Sequence, residues 1–512
     1  MYLVRARFDG TVTLERRKGE DGATIFVMAA PSGRRSLAFL PAVGDILRNP
    51  GDLVTAGPAS AVALFSGAED ALRAYTIMGQ AADTSAVSPR DLQIVAVVDN
   101  DLWAADEDGT ATLIASAAFF DTELWSDTLY GKTFIGGAGG YKVYDHEFRT
   151  LRSFEGSTKG KFPERCRLGV NWRGRLWLAA GDKPFEWYMA RLGDPFDMDF
   201  QPAVLDEAMP VSSITSHIGA IPDVVRCLMP WSSDIAYVGC GSSTWRIEGD
   251  PATDGRLVFV ADVGVAFGQG SYCKDTNGNL YFFAAHGDIC IVRVGSGVPV
   301  SLSDTRIGAR LRDVDLRVYR PKLVWNTSEK TLHVLMLPRM GLRADVLHFV
   351  WQSEFDAWHV DSFVGGPGRC VMSATKFDAD DPGDRMVVLG FADGSLRKFH
   401  RYAEDDDGLV RPWSVTAGPI HDPNLATSLR MASLHVTTAG RGRYKVLPWG
   451  TDEPSPQRTP RGHEHSMVGG QTGGISPEAA GAYLYATIFG TEDVTLQGIV
   501  AGVVPAGRVR NA

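Results

Sequence analysis

The chain has 512 residues, 44% of them hydrophobic and 22% charged, the balance of a globular protein long enough for two to four domains or one large repeat domain. Its net charge of −10 argues against a protein that grips nucleic acid through the phosphates, though not against one past which DNA slides. The six cysteines (Cys166, Cys227, Cys240, Cys273, Cys290, Cys370) form no CxxC pair, so a zinc site of that kind is excluded and free buried thiols are expected.

The opening stretch, MYLVRARFDGTVTLERR, has no apolar run ahead of a small-residue cleavage site, so no signal peptide is expected. No stretch reaches roughly eighteen uninterrupted apolar residues, so no membrane insertion is expected. Synthesis and folding in the cytoplasm follow. Residues 1–93 read as an N-terminal β-rich segment, broken by Gly and Pro in VGDILRNPGDLVTAG.

From about residue 94 one pattern keeps returning: a short apolar strand, a Gly, Asp or Asn turn, and a second apolar strand. The instances are DNDLWAADEDGTATLIA (99–115), DTLYGKTFIGGAGGYKVYD (127–145), WRGRLWLAAGDKPFEWYMA (172–190) and SDIAYVGCGSSTWRIEG (233–249). They continue with TNGNLYFFAAHGDICIVRV (276–294), WNTSEKTLHVLMLPRMGLRADVLHFVW (325–351) and DRMVVLGFADGSLRKFH (384–400). Leu102 to Met386 spans 284 residues in six steps, roughly 47 each. A strand-only repeat of that period, in a chain with 56 Gly and 10% aromatics, predicts an all-β fold. It is a β-propeller of six or seven blades over residues 94–407. The recurring pair is taken as the inner hairpin of each blade, and RCVMSATKFD (369–378) as a weaker outer strand. Large and small residues alternate in Ile235–Cys240 and Thr244–Glu248, as stacked blades require. Trp172, Trp177, Trp187, Trp231 and Trp245 are expected in the blade core. Short helices are expected at 67–75, 304–313 and 477–484.

Residues 408–512 form a C-terminal β-rich segment, expected as a small sandwich or an added sheet. It contains a loop at 451–479, rich in Gly, Pro and polar residues and expected to be exposed and mobile.

Carboxylates gather at turns. In RLGDPFDMDF, Gly193, Asp194 and Pro195 make a corner, and Gly249, Asp250 and Pro251 repeat it in WRIEGDPATDG. Gly opens a backbone region closed to other residues, Asp caps its own turn, and Pro fixes φ. These six are read as structural turns between blades. Asp197 and Asp199 could face a hard cation, but no EF-hand or calcium nonapeptide pattern accompanies them. Asp106–Asp108, Asp378, Asp380, Asp381 and Glu404–Asp407 read as solvated loops. No GxSxG, HExxH, Walker A or strand-to-helix GxGxxG occurs, and GGAGG at 136–140 reads as a tightly packed hairpin turn. His286, His463 and His465 read as surface residues. No catalytic, cofactor-binding or metal-ligating residue is named, and no enzyme activity is expected.

Gly241–Thr244, Val263–Gly264, Gly270–Lys274 and Gly295–Gly297 ahead of Ser301 follow one another in an order that resembles the propeller proteins of short-tailed bacteriophages. These are the packaged-DNA stabilisation proteins, also called tail hubs or nozzles. The resemblance covers about 140 residues strongly. It implies a structural virion protein that forms a homo-hexameric ring and extends the portal–tail channel. Such a ring retains packaged DNA and lets it pass at ejection. It also implies a virion-tail location after assembly in the host cytoplasm, with the portal or head-to-tail adaptor ring and other tail proteins as partners. DNA would pass without sequence-specific binding. Acids lining that lumen would repel phosphates and lower friction. The alternative is a tail-associated glycan-binding or glycan-cleaving propeller, whose two carboxylates would come from distant strands.

Overall fold

The structure is a computed structural model. It describes residues 93–508 with short gaps, and the strands Leu14–Lys18, Thr24–Met28 and Ala63–Leu64 before them. The chain divides into two compact units, one of residues 10–400 and one containing residues 401–512.

The first unit is a seven-bladed β-propeller, each blade an antiparallel meander. Blade 1 is built from Ala63–Leu64, Gln93–Val98, Asp101–Asp106 and Ala111–Ala115. Blade 2 takes Trp125–Leu129, Lys132–Gly137, Gly140–Asp145 and Thr150–Ser153, and blade 3 takes Leu168–Trp172, Arg175–Ala179, Trp187–Met189 and Val211–Ser212. Blade 4 takes Val225–Pro230, Ile235–Cys240, Thr244–Glu248 and Arg256–Ala261, and blade 5 takes Tyr272–Lys274, Leu280–Ala284, Asp288–Val292 and Pro299–Ser301. Blade 6 holds Tyr319–Asn326, Thr331–Pro338, Leu347–Gln352 and Ala357–Asp361; blade 7 has three described strands, Val371–Phe377, Met386–Phe391 and Leu396–Phe399. At five of the seven junctions neighbouring blades meet through their first strands, and one of these, Val371–Phe377 beside Ala63–Leu64, closes the ring.

All seven expected hairpins are present, but their place in the blade differs from expectation. In blades 2 to 7 they are the second and third strands, the middle of the sheet. In blade 1 the pair is third and fourth, because the inner strand, Ala63–Leu64, lies far upstream within the segment read as preceding the repeat. Val371–Phe377, expected at the outside, is an inner strand, and Val371 to Thr375 are all buried. Its few polar residues suggested an outer edge, whereas inner strands face a polar axis.

The alternation in the middle strands has a specific cause. Ala236, Val238 and Cys240 enter a core shared with Trp177, Ala179 and Trp187 of blade 3. Tyr237, between them in sequence, enters a different core with Phe282 and Cys290 of blade 5. Blade 5 repeats the division: Leu280, Phe282 and Ala284 face blade 4, while Tyr281 and Phe283 face Trp325 and Val334 of blade 6. Successive side chains thus serve opposite faces of the sheet.

Where blades crowd, glycine makes room. The Trp125 ring lies between Gly136 of its own blade and Gly169 of blade 3; a Cβ on either would stand 2.4 Å from ring carbons. The indole Nε1 donates to the Cys166 carbonyl at 2.9 Å, which fixes the ring in that slot. All six cysteines are free, and all but the half-buried Cys273 are buried.

The connection after blade 5 contains the helix Gly308–Arg312, inside one expected helical stretch. The stretch at 477–484 instead contributes to the strands Ala480–Gly481 and Tyr483–Gly490, and 67–75 lies outside the described residues. The Ala-rich composition of 477–484 is outweighed by the pairing of Tyr483–Gly490 with Arg443–Thr451. In the second unit, Trp413–His421, Tyr483–Gly490, Arg443–Thr451 and His465–Val468 form one sheet. Thr427–Ala439 pairs with Thr472–Ile475, Ala480–Gly481 and Thr495–Arg508 in another. Met431, Leu434 and Val436 from one sheet pack on Val446, Leu484 and Ile488 from the other, so the unit is a β-sandwich. Two strands, His465–Val468 and Thr472–Ile475, fall within the span expected to be a mobile loop.

Blade 6 buries a polar chain against blade 7. His333 Nε2 meets Thr331 Oγ1 at 3.0 Å, His333 Nδ1 meets His348 Nε2 at 3.0 Å, and Phe399 packs edge-on at 4.6 Å from the His333 ring. Burial pushes His333 down to about 3 and His348 well below the ordinary histidine value; burial likewise pushes His146 in blade 2 down to about 4. These imidazoles stay neutral in the fold but take up protons below about pH 6.5 once unfolded. Their contribution is therefore whole above that pH and declines as pH falls.

Two outcomes are expected. In urea melts, stability drops between pH 7 and 5, and a His333→Gln/His348→Gln double variant shows a shallower drop; an identical slope would contradict the burial argument. Gly169→Ala costs about 1–3 kcal/mol by overpacking Trp125. Gly498→Ala, whose Cβ meets open space, changes stability by less than about 0.5 kcal/mol.

Candidate functional site

The first strands leave an axial cavity of about 290 Å³ in the propeller. Five blades supply its wall. Glu123 and Trp125 come from blade 2, Arg167 stands just ahead of the first strand of blade 3, and the turn Gly268–Gly270 leads into blade 5. Arg320 and Lys322 come from blade 6 and Ser373 from blade 7.

Local structure explains each placement. In the first strand of blade 6, Tyr319 and Leu323 enter the apolar core with blade 5, while the alternate residues Arg320 and Lys322 turn to the cavity. Gly270 lets the chain lie against the Lys322 stem, since a Cβ there would sit 3.0 Å from Lys322 Cδ and 3.1 Å from the Pro321 carbonyl. Gln269 acts as an added rung beside blade 4: its amide oxygen accepts from Leu228 N–H at 2.9 Å and its amide nitrogen donates to the Leu228 carbonyl at 3.1 Å.

The cavity is basic. Glu123 is neutralised by an ion pair with Arg339, which also donates to the Leu316 carbonyl at 3.1 Å. Arg320 donates to the Met372 carbonyl at 3.3 Å. Desolvation pushes the Lys322 amine down to about 8, opposed by Cys273 and reinforced by the Arg320 charge. The wall can receive an anion; it presents no nucleophile paired with a base.

The Gly-Asp-Pro corners lie elsewhere. Each sits inside a blade, between its third and fourth strands in blades 3 and 4, not between blades as the sequence suggested. Gly193 and Gly249 have φ of +81° and +80°, and Asp194 and Asp250 accept from Phe196 N–H at 3.1 Å and Ala252 N–H at 2.9 Å. Pro195 and Pro251 follow in the turns, and Pro251 accepts from Ser216 Oγ at 2.7 Å. The two corners differ in a way the sequence hides. Asp194 is half-exposed and 4.0 Å from Lys159. Asp250 faces two arginines of blade 3: Arg173 at 3.5 Å and the fully buried Arg175 at 3.9 Å. Arg175 donates to the carbonyls of Ala190, Glu207, Ala208 and Met209 and depends on Asp250 for counter-charge. Burial pulls the Arg175 guanidinium below its usual range, and Asp250 opposes that.

Asp197 is buried with Lys159 at 3.7 Å, and Asp199 caps Gln201 N–H, so neither waits for a cation. His286 stands exposed in a turn, and the His463 and His465 rings lie 5.2 Å apart. Asp378, Asp380, Asp381, Glu107, Asp108, Glu404 and Asp407 lie outside the described residues. Among the described residues no group of three or more His, Cys, Asp or Glu is arranged to hold a metal ion, and no helix is long and apolar enough to cross a membrane.

Asp194→Ala is expected to cost about 1 kcal/mol, the worth of one turn bond. Asp250→Ala is expected to cost about 1.5–3 kcal/mol, because it also strips a charged partner from buried Arg175. In a double-mutant cycle measured in urea, the costs of Asp250→Ala and Arg175→Met should be less than additive, since the second removes the charge the first leaves unpaired. Equal costs for the two Asp variants would refute the distinction.

No family model matches the chain, and no curated protein matches it. Several solved structures resemble it remotely. One, described as YCF48 bound to D1 peptide, has a TM-score of 0.36 at 11% identity over 60% of this chain and 90% of that one. The WD40 β-propeller domain of Doa1 has a TM-score of 0.35 at 12% identity over 62% and 93%. A fungal alcohol oxidase of the AA5 family in complex with copper has a TM-score of 0.39 at 8% identity over 81% and 95%. Likenesses this remote carry no activity across to this chain.

Proposed function

We propose that the chain is a structural protein of a short-tailed bacteriophage tail, a hub or nozzle that extends the portal–tail channel. In this reading six copies form a ring against the portal or adaptor, hold packaged DNA in place and let it pass at ejection. The reading has no catalytic step and no cofactor.

One observation carries it. The ordered run that resembles this family falls on turns of blades 4 and 5, and at Gly241 and Gly264 backbone lies directly against backbone. A Cβ on Gly264 would stand 2.2 Å from the Gly241 carbonyl oxygen. Beside that contact, Asp223 gathers the N–H and hydroxyl groups of Ser242 and Ser243 at 2.7–3.1 Å. Those donors hold the Asp223 carboxyl down to about 2 against the effect of burial. The net charge of −10 supports the reading too, since a negative body does not cling to passing phosphates. The basic axial cavity belongs to one propeller's own axis, which is distinct from a lumen enclosed by several chains.

Negative-stain class averages of the protein, free and with its own tail assembly, test the proposal. A ring around a DNA-sized opening in either state is expected. A compact monomer in both would overturn it.

A further inference from the structure

The axial cavity contains more positive charge than its wall answers. Glu123 is taken by Arg339. The Lys322 ammonium makes no hydrogen bond or ion pair among the described residues, and neither does the Arg167 guanidinium. Arg320 and Lys322 stand two residues apart on one strand and face the same space, so their charges repel. A second feature is independent of charge. Ser373 lines the same cavity and is only 5% exposed, and its hydroxyl oxygen has no hydrogen-bond partner. Arg167 is exposed at the mouth of the cavity, whereas the Lys322 ammonium is desolvated; a buried hydroxyl and a desolvated cation without partners each cost stability. One species relieves both: an anion with several oxygens, able to accept from guanidinium, ammonium and hydroxyl donors arriving from different sides.

We propose that the axial cavity is a binding site for a small phosphate-class oxyanion, held by Arg167, Arg320 and Lys322 with Ser373 donating to one of its oxygens. The cavity, at about 290 Å³, has room beyond the oxyanion itself for a small group attached to it. The ligand is thus either free orthophosphate or the phosphoryl group of a small organic phosphate. The site does not depend on ring formation.

Calorimetric titration of the full chain with orthophosphate, in chloride buffer at pH 7.5, is the test. One site per chain is expected, with affinity at least tenfold weaker in Lys322→Met and in Ser373→Ala. Lys161→Met, at a surface pair with Glu164, should leave it unchanged. Adenosine monophosphate binding more tightly than orthophosphate would assign an organic phosphate; equal or weaker binding would assign the free ion. Should Lys322→Met not fold, the wild-type chain still decides. Sulfate, whose charge is constant over the range, should bind progressively more weakly as pH rises through about 8, where Lys322 loses its proton. The charged groups around that amine are Arg320 beside it, Arg167 and Glu123 across the cavity and Arg339 paired with Glu123, and the Cys273 thiol also acts on it. No orthophosphate binding by the wild-type chain, or unchanged affinity in both variants, would overturn the proposal.

Discussion

A sheet that is sandwiched on both sides cannot keep a polar face, and the whole propeller depends on that constraint. Each blade must offer apolar side chains to two neighbours at once. The middle strands accordingly read as unbroken buried runs, Leu280–Ala284 and Thr331–Pro338 among them. Their alternate residues fill two different cores. Two of the buried polar clusters are answered within the fold. The His333–His348 chain answers itself across two strands, and Arg175 is answered by four carbonyls and Asp250.

The same constraint sorts the charges. Acids that dominate the sum over the chain sit at turns such as Asp194, Asp223 and Asp275, where they accept backbone N–H groups. Arg320 and Lys322 turn instead to an interior space that apolar packing does not fill. A chain with a net charge of −10 thus carries a basic axis within its propeller. Bulk charge describes the outer field of such a protein and says little about its cavities.

The hairpins were legible in the sequence because strand, turn and strand are adjacent: TNGNLYFFAAHGDICIVRV contains its whole local argument. Inner and outer positions were not legible, because they are fixed by which blade lies alongside. Val371–Phe377 looks like an edge strand until its neighbours are known. Ala63–Leu64 is too short to carry any periodicity. The link from Arg175 to Asp250 and the meeting of Arg167, Lys322 and Ser373 join residues far apart in the chain. One signal was present for the cavity: two cations interrupting the apolar strand YRPKLVWN call for a polar destination.

Because both faces of a middle strand are apolar, sliding it by one residue would not expose a hydrophobic stripe to water, as it would in a half-solvated sheet. Solvent therefore offers little correction for such a slip. What resists it is volume. A shift in Ile235–Cys240 would push Tyr237 into the space of Ala236 or Val238, and would move Gly239 away from Val265, whose methyl it admits only because it has no Cβ. The turn glycines at Gly249 and Gly287, held at φ values of +80° and +84°, fix the count of residues between strands. Alignment of the blades is thus written in side-chain size and loop length, and a conservative exchange such as Gly239→Ala would disturb it more than an exchange of polarity on the rim.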